Sequence, residues 1–326
     1  MLHEHIPEVN SHKHLGVHLS DNGSWHSHVE NIKSKAWNRI NIMRRLKFTL
    51  DRKSLETIYF SFVRPILEYA DVLWDNCTNN EKEELDKIQN EAARIATGAT
   101  KLASIANLKK ETGWEPLALR RRKHKLILFY KMTQNLTPAY LSALVPSLVS
   151  TVSRYGLRNS ENLRVPFCRT QLYAQSFLPS VILEWNSLPL NVRSSESVDS
   201  FKHALNNTAD PLEKPPAYYY SGTRRAQVYH TRLRTNCSSL NLTLFQKQIT
   251  DSPLCHCGLI ESADHFFFRC PIYQDIRTKL LNSINPICTA TTKLLLYGNT
   301  NLSIEANSVI FSAVQEYITK SKRFNT

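Results

Sequence analysis

"WHSHVENIKSKAWNRINIMRR", residues 25–45, carries apolar side chains at every third or fourth position. This spacing places them on one face of an α-helix, so the stretch predicts a long helix with one buried side. The predicted inward residues are Val29, Ile32, Ala36, Ile40 and Met43. Lysines and arginines occupy the opposite face, and Ser24 can cap the first turn of the helix.

Three further stretches repeat this helical pattern. Pro65 predicts a kink or a restart at the end of the first stretch, and Gly98 predicts a C-terminal stop for the second. The predicted helices and their inward residues are 54–65 with Leu55, Ile58, Tyr59 and Phe62; 80–99 with Leu85, Ile88, Ala92 and Ile95; and 116–135 with Leu117, Leu119, Leu126, Phe129 and Met132. With residues 25–45 they predict an all-α bundle with short connections.

The remainder of the chain divides by composition. Leu15, Val17 and Leu19 alternate with other residues, which predicts a short strand with one buried face. A polar connector carries two short helices, one around Trp185 and one over residues 197–205, and the prolines at 206–218 indicate a linker. We therefore expect a mainly α fold in four segments. These are a strand segment 1–23, a helical bundle 24–147, a connector 148–217, and a smaller α+β region 218–326.

Three cysteines and two histidines lie within residues 255–270, CHCGLIESADHFFFRC. Cys255, Cys257, His265 and Cys270 have the spacing C-x-C-x7-H-x4-C, and thiolates together with imidazole are the usual ligands of structural zinc. Gly258 suits the tight turn that follows the first two cysteines. Because all four positions would be filled by protein ligands, the predicted zinc site is closed and structural, with no place for an activated water.

Other interpretations of this segment stay open. His256 and Asp264 are alternative ligands that close the site less well, and the cysteines can instead be core thiols. In an ideal α-helix, His265 and Cys270 point about 140° apart, so we expect the helix to loosen before Cys270. The three phenylalanines 266–268 favour a small core around the metal over a platform that stacks bases.

The chain is strongly basic, with 41 lysines and arginines against 28 aspartates and glutamates, a formal charge of +13. This excess is typical of proteins that bind nucleic acid or an anionic membrane surface. No apolar run of about 18 residues is present, so we expect no membrane span and no membrane partner. The candidate nucleic-acid-binding residues are Arg44, Arg45, Lys47, Arg120, Arg121, Arg122, Lys123, Lys125, Arg224, Arg225, Arg232 and Arg234.

Several segments, in order, resemble the C-terminal part of a reverse transcriptase from a jockey-like non-LTR retrotransposon. The similar segments are residues 12–46, 62–75, 85–99, 176–205 and 254–273. The resemblance implies a remnant of the palm and its primer-grip strand, a helical thumb, and a zinc-knuckle tail. It also implies an RNA and/or DNA template–primer as the partner, together with the catalytic part of the element protein.

In that family a Tyr-x-Asp-Asp motif in the palm holds catalytic Mg²⁺ ions, and this chain contains no Asp-Asp pair. Glu68 to Val72, EYADV, imitates the motif, but Val72 stands where a second ligand is needed after Asp71. We therefore expect no catalytic residue and no polymerisation, only a fragment that binds nucleic acid. The alternatives are a stand-alone zinc-containing nucleic-acid-binding protein in host use and a non-catalytic interaction scaffold. Scattered cysteines favour an intracellular location, nuclear and/or cytoplasmic.

Overall fold

The computed structural model describes residues 8–152, 160–208 and 213–324, which leaves parts of the predicted connector and linker outside the described residues. The chain forms two compact units. Unit 1 comprises Met1–Ser34, Ile66–Asp86 and Glu115–Leu212, and unit 2 comprises Lys35–Pro65, Lys87–Trp114 and Glu213–Thr326. Each unit is therefore assembled from three separate pieces of chain, and this grouping differs from the four segments that composition indicates.

The fold is mainly helical, as predicted. The helices in the first half are α1 His26–Leu46, α2 Arg52–Ile58, α3 Arg64–Glu68, α4 Asp71–Trp74, α5 Asn79–Thr97, α6 Ile105–Thr112, α7 Leu117–Thr133, α8 Ala139–Ser142 and α9 Val149–Val152. Those in the second half are α10 Gln171–Gln175, α11 Phe177–Asn186, α12 Leu190–Arg193, α13 Val198–Asn207, α14 Arg224–Arg234, α15 Asn241–Gln246, α16 Gln274–Ile284, α17 Thr292–Tyr297 and α18 Ile304–Lys320. Short 3₁₀ turns span Ala217–Tyr220 and Pro271–Tyr273, and π-helical turns span Tyr59–Val63 and His265–Arg269.

The strand predicted around residues 15–19 is instead a hairpin. Strands β1 Ser11–His14 and β2 Val17–Ser20 pair antiparallel, with His14 opposite Val17. Leu15 and Gly16 form the turn with positive φ values of 45° and 85°, so Leu15 points into solvent and is 79% exposed. Only Val17 of the three predicted inward residues is buried. The predicted alternation fails at Leu15, which lies in the turn between the strands, and at Leu19, which is exposed in the second strand.

The long helices bury the predicted faces. All five inward residues of α1 and all four of α5 are buried, and α5 ends at Gly98, whose φ is +80°. The prediction for residues 54–65 was wrong at Phe62, which is exposed, while Val63 is buried. The π-helical turn Tyr59–Val63 explains the change, because an i→i+5 turn shifts the inward face by one residue. Pro65 then lies in α3, directly after this wider turn.

The core of unit 1 lies where α11 and α13 pack on α7. Tyr130 and Phe201 stack with ring centroids 4.4 Å apart, and Trp185 meets Phe129 edge to face at 5.4 Å. Ser197 caps α13 by accepting a hydrogen bond from the backbone N–H of Ser200. These helices hold α7, the most basic helix of the chain, in place.

The core of unit 2 is formed by α14, α16, α17 and α18. Of the three phenylalanines predicted to form a core, Phe266 and Phe267 are fully buried beside Tyr317, and Phe268 is partly buried against the same core. The hydroxyl of Tyr317 donates to the carbonyl oxygen of Phe266. The core therefore anchors the backbone that carries His265.

Among the described residues, no helix is both long enough and apolar enough to cross a membrane.

Candidate metal centre and basic cleft

The four predicted metal ligands come together in unit 2. One ligand atom from each of Cys255, Cys257, His265 and Cys270 lies within 4.8 Å of all the others. The sulfurs of Cys255 and Cys270 are 3.7 Å apart, and the Cys257 sulfur is 3.2 Å from Nε2 of His265. In a tetrahedral zinc site such atoms are about 3.5–3.8 Å apart. The cluster can therefore hold a metal ion.

A tight turn supplies the first two ligands. An isolated antiparallel bridge joins Leu254 to Ile260, and the backbone N–H of Cys255 donates to the carbonyl of Leu259 at 2.7 Å. Gly258 closes the turn with a φ of +87°, a conformation that side chains disfavour, and donates to the carbonyl of Cys255. The turn thereby presents Cys255 and Cys257 to the same point.

A π-helical turn supplies the other two ligands. Ser262 caps it, since its hydroxyl accepts a hydrogen bond from the backbone N–H of His265 at 3.0 Å. The N–H of Cys270 donates to the carbonyl of His265, an i→i+5 bond of 2.8 Å. This wider turn brings the side chains of His265 and Cys270 to one side of the backbone. The expected loosening of the helix thus takes the form of a π turn.

Three charged residues that sequence reasoning missed hold this segment. Arg277 is buried and donates to the carbonyls of Phe267 and Cys270. Glu261 is buried and accepts two hydrogen bonds of 2.6 Å from Arg323. The sequence did not indicate these roles, because a charged residue that will be buried cannot be recognised until its partners in the fold are known.

The pKa values of His265 and Cys257 suit metal binding, whereas Cys270 must release its proton when an ion binds. Burial lowers the pKa of His265, so its imidazole is neutral at pH 7 and has a lone pair to offer. A hydrogen bond involving the backbone at Leu259 lowers the pKa of Cys257, whereas burial raises that of Cys270 to about 11. The alternative ligands lie outside the cluster: His256 is exposed, and Asp264 pairs with Arg269 at 2.8 Å.

The basic run of α7 is matched by carboxylates of unit 1. Arg121 is buried and donates to Asp75 at 3.0 Å, and Lys125 lies 2.8 Å from both Asp75 and Glu184. The remaining pairs are Arg120 with Glu68 and Glu115, Arg122 with Glu184, and Lys123 with Glu115. Nucleic-acid binding by this run stays a prediction, and most of its charge is already engaged inside unit 1.

Asp71 of the EYADV stretch belongs to the same region. It is buried, and its carboxylate lies 2.6 Å from Nδ1 of His124 on α7. This hydrogen bond raises the pKa of His124. Asp71 is thus an ion-pair partner of a histidine in unit 1.

A second set of basic residues lines a cleft of about 620 Å³ within unit 2. We call it the basic cleft. Its lining residues are Lys47, Phe48, Glu91, Arg94, Ile95, Gly98, Ala99, Thr100, Lys101, Arg224, Arg225, Val228, Tyr229 and Arg232. Six of these side chains are cationic and one, Glu91, is anionic. The structure thus brings together four predicted residues, Lys47, Arg224, Arg225 and Arg232, and adds Arg94 and Lys101.

Two arginines of the basic cleft, Arg224 and Arg232, are oriented by neutral oxygens, whereas Arg94 lies 3.9 Å from the carboxylate of Glu91. Arg224 donates to the backbone carbonyls of Lys47, Ala96 and Ile95, and Arg232 donates to that of Gly98. Carbonyl oxygens fix the direction of a guanidinium without cancelling its charge. Burial, with the charge of Arg52 as the next cause, lowers the pKa of Arg224 to about 10. Positive charge is therefore concentrated and incompletely compensated in the cleft.

Gly98 shapes the basic cleft where α5 ends. A Cβ atom at this position would lie 2.4 Å from a methyl carbon of Val228, and the positive φ also disfavours a side chain. The absence of a side chain lets α14 approach the end of α5 closely. Arg232 can then reach the carbonyl of Gly98.

The other predicted cations lie elsewhere in unit 2. Arg44 donates to Glu91 through two nitrogens, at 2.9 and 3.2 Å, and Arg45 is exposed near the end of α1. Arg234 is buried and pairs with Glu111 at 2.8 Å. Arg52 also pairs with Glu111, so these three residues form a buried ionic cluster. Arg234 is a structural residue of this cluster.

No family model, no curated protein and no solved structure matches this chain.

Proposed function

We propose that this chain binds the phosphodiester backbone of nucleic acid through the basic cleft. The observation that carries the proposal is the orientation of Arg224 and Arg232 by backbone carbonyls in a cleft with six cationic side chains. Guanidinium groups held in this way are ready to form charge-assisted hydrogen bonds with phosphate oxygens. A phosphate in the cleft would also stabilise the charged form of Arg224, whose pKa is lowered first by burial and next by the charge of Arg52.

The sequence resemblance supports a template–primer of RNA and/or DNA as the partner. Phosphate contacts position such a partner without reading its bases. We propose no polymerase activity for the chain itself, because its sequence contains no Asp-Asp pair for catalytic Mg²⁺. Any polymerisation by the element would require a catalytic part supplied by other residues.

We propose zinc as the ion of the Cys255, Cys257, His265 and Cys270 cluster. Three sulfurs and one imidazole nitrogen are soft or borderline ligands that favour zinc over magnesium or calcium. When bound, the ion would cross-link the Cys255 turn to the π-helical turn. With four protein ligands the ion would stabilise the fold and activate no water.

Oligonucleotide titrations at several salt concentrations test the binding proposal. Lys101→Gln removes an exposed cation of the cleft, and Lys293→Gln is the matched control on an exposed lysine outside it. We expect only Lys101→Gln to weaken binding and to reduce the slope of log K against log salt by about 0.7–0.9. Binding that does not respond to salt, or equal effects of both variants, would refute the proposal.

Metal analysis of the purified chain tests the zinc proposal. We expect one zinc per chain, lost in Cys257→Ser and retained in Cys168→Ser, whose cysteine lies in unit 1 outside the cluster. Structural zinc contributes on the order of 10 kcal/mol in small zinc domains, so Cys257→Ser should also unfold the surrounding segment. A chain that folds normally and holds no zinc would contradict the proposal.

A further inference from the structure

The basic cleft contains aromatic and apolar side chains as well as cations. Phe48 and Tyr229 both line it, and Phe48 is 80% exposed. Ile95, Ala99 and Val228 add an apolar lining. A cleft that bound phosphate groups alone would need none of these side chains. The apolar lining suits the sugar or the base of a nucleotide.

Each aromatic ring has a cation beside it. The ammonium nitrogen of Lys47 lies 4.7 Å from the ring centroid of Phe48. The guanidinium carbon of Arg225 lies 5.6 Å from the ring centroid of Tyr229, and its Nε donates to the Tyr229 hydroxyl at 3.1 Å. An aromatic ring next to a basic group is the combination that single-strand-binding proteins use, because bases stack on the ring while phosphates contact the charge.

The size of the basic cleft separates single strands from duplexes. Its volume of about 620 Å³ lies in the range of clefts that enclose small-molecule ligands, roughly 300–1,000 Å³. A B-form duplex is wider still than its major groove, which alone measures about 12 Å, so it cannot insert into such a space. In a duplex the faces of the bases are also stacked on one another, so they are not accessible to Phe48. Only an unpaired nucleotide can use the phosphate-binding and the apolar side chains together.

We propose that the basic cleft holds a single-stranded segment of nucleic acid, with one base stacked on Phe48 and the adjoining phosphates on Arg224 and Arg232. The inference rests on the proposed function, since it names the form of nucleic acid that the same site takes. Phe48 is the stacking residue because Tyr229 is half-buried and packs against Phe324, with ring centroids 5.6 Å apart. The site reads no sequence, because every base offers a π face.

The test compares an unstructured single strand with a blunt duplex of the same length, at one salt concentration. We expect the single strand to bind wild type at least tenfold more tightly. Phe48→Ala should weaken single-strand binding by about five- to 150-fold, the range measured for loss of one stacked base, and leave duplex binding unchanged. Phe48→Trp should restore the affinity, because it keeps the stacking surface.

Phe167→Ala is the matched control, since Phe167 is 84% exposed and lies in unit 1. A 2-aminopurine in the single strand gives a second readout, because its fluorescence should be quenched by wild type and less so by Phe48→Ala. Equal affinities for single strand and duplex, with no effect of Phe48→Ala, would overturn the inference while leaving the proposed function intact. Failure of wild type to bind either nucleic acid would instead overturn the proposed function.

Discussion

Helices α7 and α14 are both rich in arginine and lysine, yet their charges have different partners. On α7, five cations between residues 120 and 125 meet the carboxylates of Glu68, Asp75, Glu115 and Glu184. On α14, Arg224 and Arg232 meet backbone carbonyls in the basic cleft. In sequence the α7 run is the denser of the two. In the structure α14 has the more available charge.

The kind of oxygen that holds a guanidinium decides what it can still bind. A carboxylate neutralises the charge of the guanidinium. A phosphate must therefore displace that carboxylate before it can bind, and the displacement costs free energy. A carbonyl orients the group and leaves its charge intact, so a phosphate adds to the existing contacts. Clustering of basic residues in sequence is therefore a weaker indicator of an anion site than a small number of carboxylates among their contacts in the fold.

The largest expected effect on stability concerns Arg234, which lies on the buried side of α14 and pairs with a carboxylate, as the cations of α7 do. Glu111→Gln leaves the buried Arg52 and Arg234 with too little negative charge, and we expect a loss of about 3–5 kcal/mol in the free energy of unfolding. Urea denaturation followed by circular dichroism measures this loss. Glu83→Gln, at an exposed position, should change stability by less than about 0.5 kcal/mol. Similar stabilities for the two variants would show that the cluster is not held by its charges.

The carboxylate of Glu111 should also make the free energy of unfolding depend on pH. Burial acts to raise the pKa of Glu111, but the charges of Arg234 and Arg52 outweigh it and hold the pKa below the ordinary value. Since its folded pKa is depressed, the contribution of Glu111 is fully present above the unfolded pKa of about 4.3 and is lost as pH falls through the folded pKa. The stability gap between wild type and Glu111→Gln should therefore narrow in acid. A gap that widens below pH 4 would contradict this assignment.

A smaller effect is expected on α7. Asp75→Asn removes the carboxylate shared by the buried Arg121 and Lys125, and we expect a loss of about 1.5–3 kcal/mol. Nucleic-acid affinity should stay within twofold of wild type if the α7 run is structural. An increase in affinity on removing this carboxylate would show that the cations of α7 bind nucleic acid when they are unpaired. The proposed difference between α7 and α14 would then be wrong.

Comparison of one arginine from each helix gives a prediction that concerns nucleic-acid binding, not stability. Arg232→Gln should reduce the salt slope by about 0.7–0.9, whereas Arg122→Gln, paired with Glu184, should leave it unchanged. Oligonucleotide titration over a salt series measures both slopes. Equal losses from the two variants would remove the contrast between carbonyl-held and carboxylate-held arginines.

The smallest effect concerns His124 at the edge of the α7 network. Its hydrogen bond to Asp71 raises its pKa, so its contribution is fully present below the unfolded pKa of about 6.5 and is lost as pH rises through the folded pKa. We expect His124→Gln to lower stability by under about 1 kcal/mol at pH 5.5 and by less at pH 8.5. Urea denaturation at both pH values measures the difference. A larger loss at the higher pH would reverse the assignment.

Local patterns predicted much of the helical fold and one of the two sites. The inward faces of α1 and α5 are periodic over long stretches, and the four metal ligands are close in sequence. Both features depend on neighbours within about 20 residues. The predictions failed where backbone geometry departed from the regular period, at the turn after His14 and at the π-helical turn that exposes Phe62.

By itself the sequence determined a mainly helical, basic protein with a Cys₃His cluster, because periodicity, charge and ligand spacing are properties of the chain. Only the tertiary structure decided which cations remain available. Arg94 and Lys101 were not predicted as binding residues. The sequence also does not distinguish Arg121, which pairs with a carboxylate, from Arg232, which is held by a carbonyl. Their partners are 46 and 134 residues away along the chain. Whether a distant partner is a carboxylate or a carbonyl depends on folding, and that choice sets the charge left for a ligand.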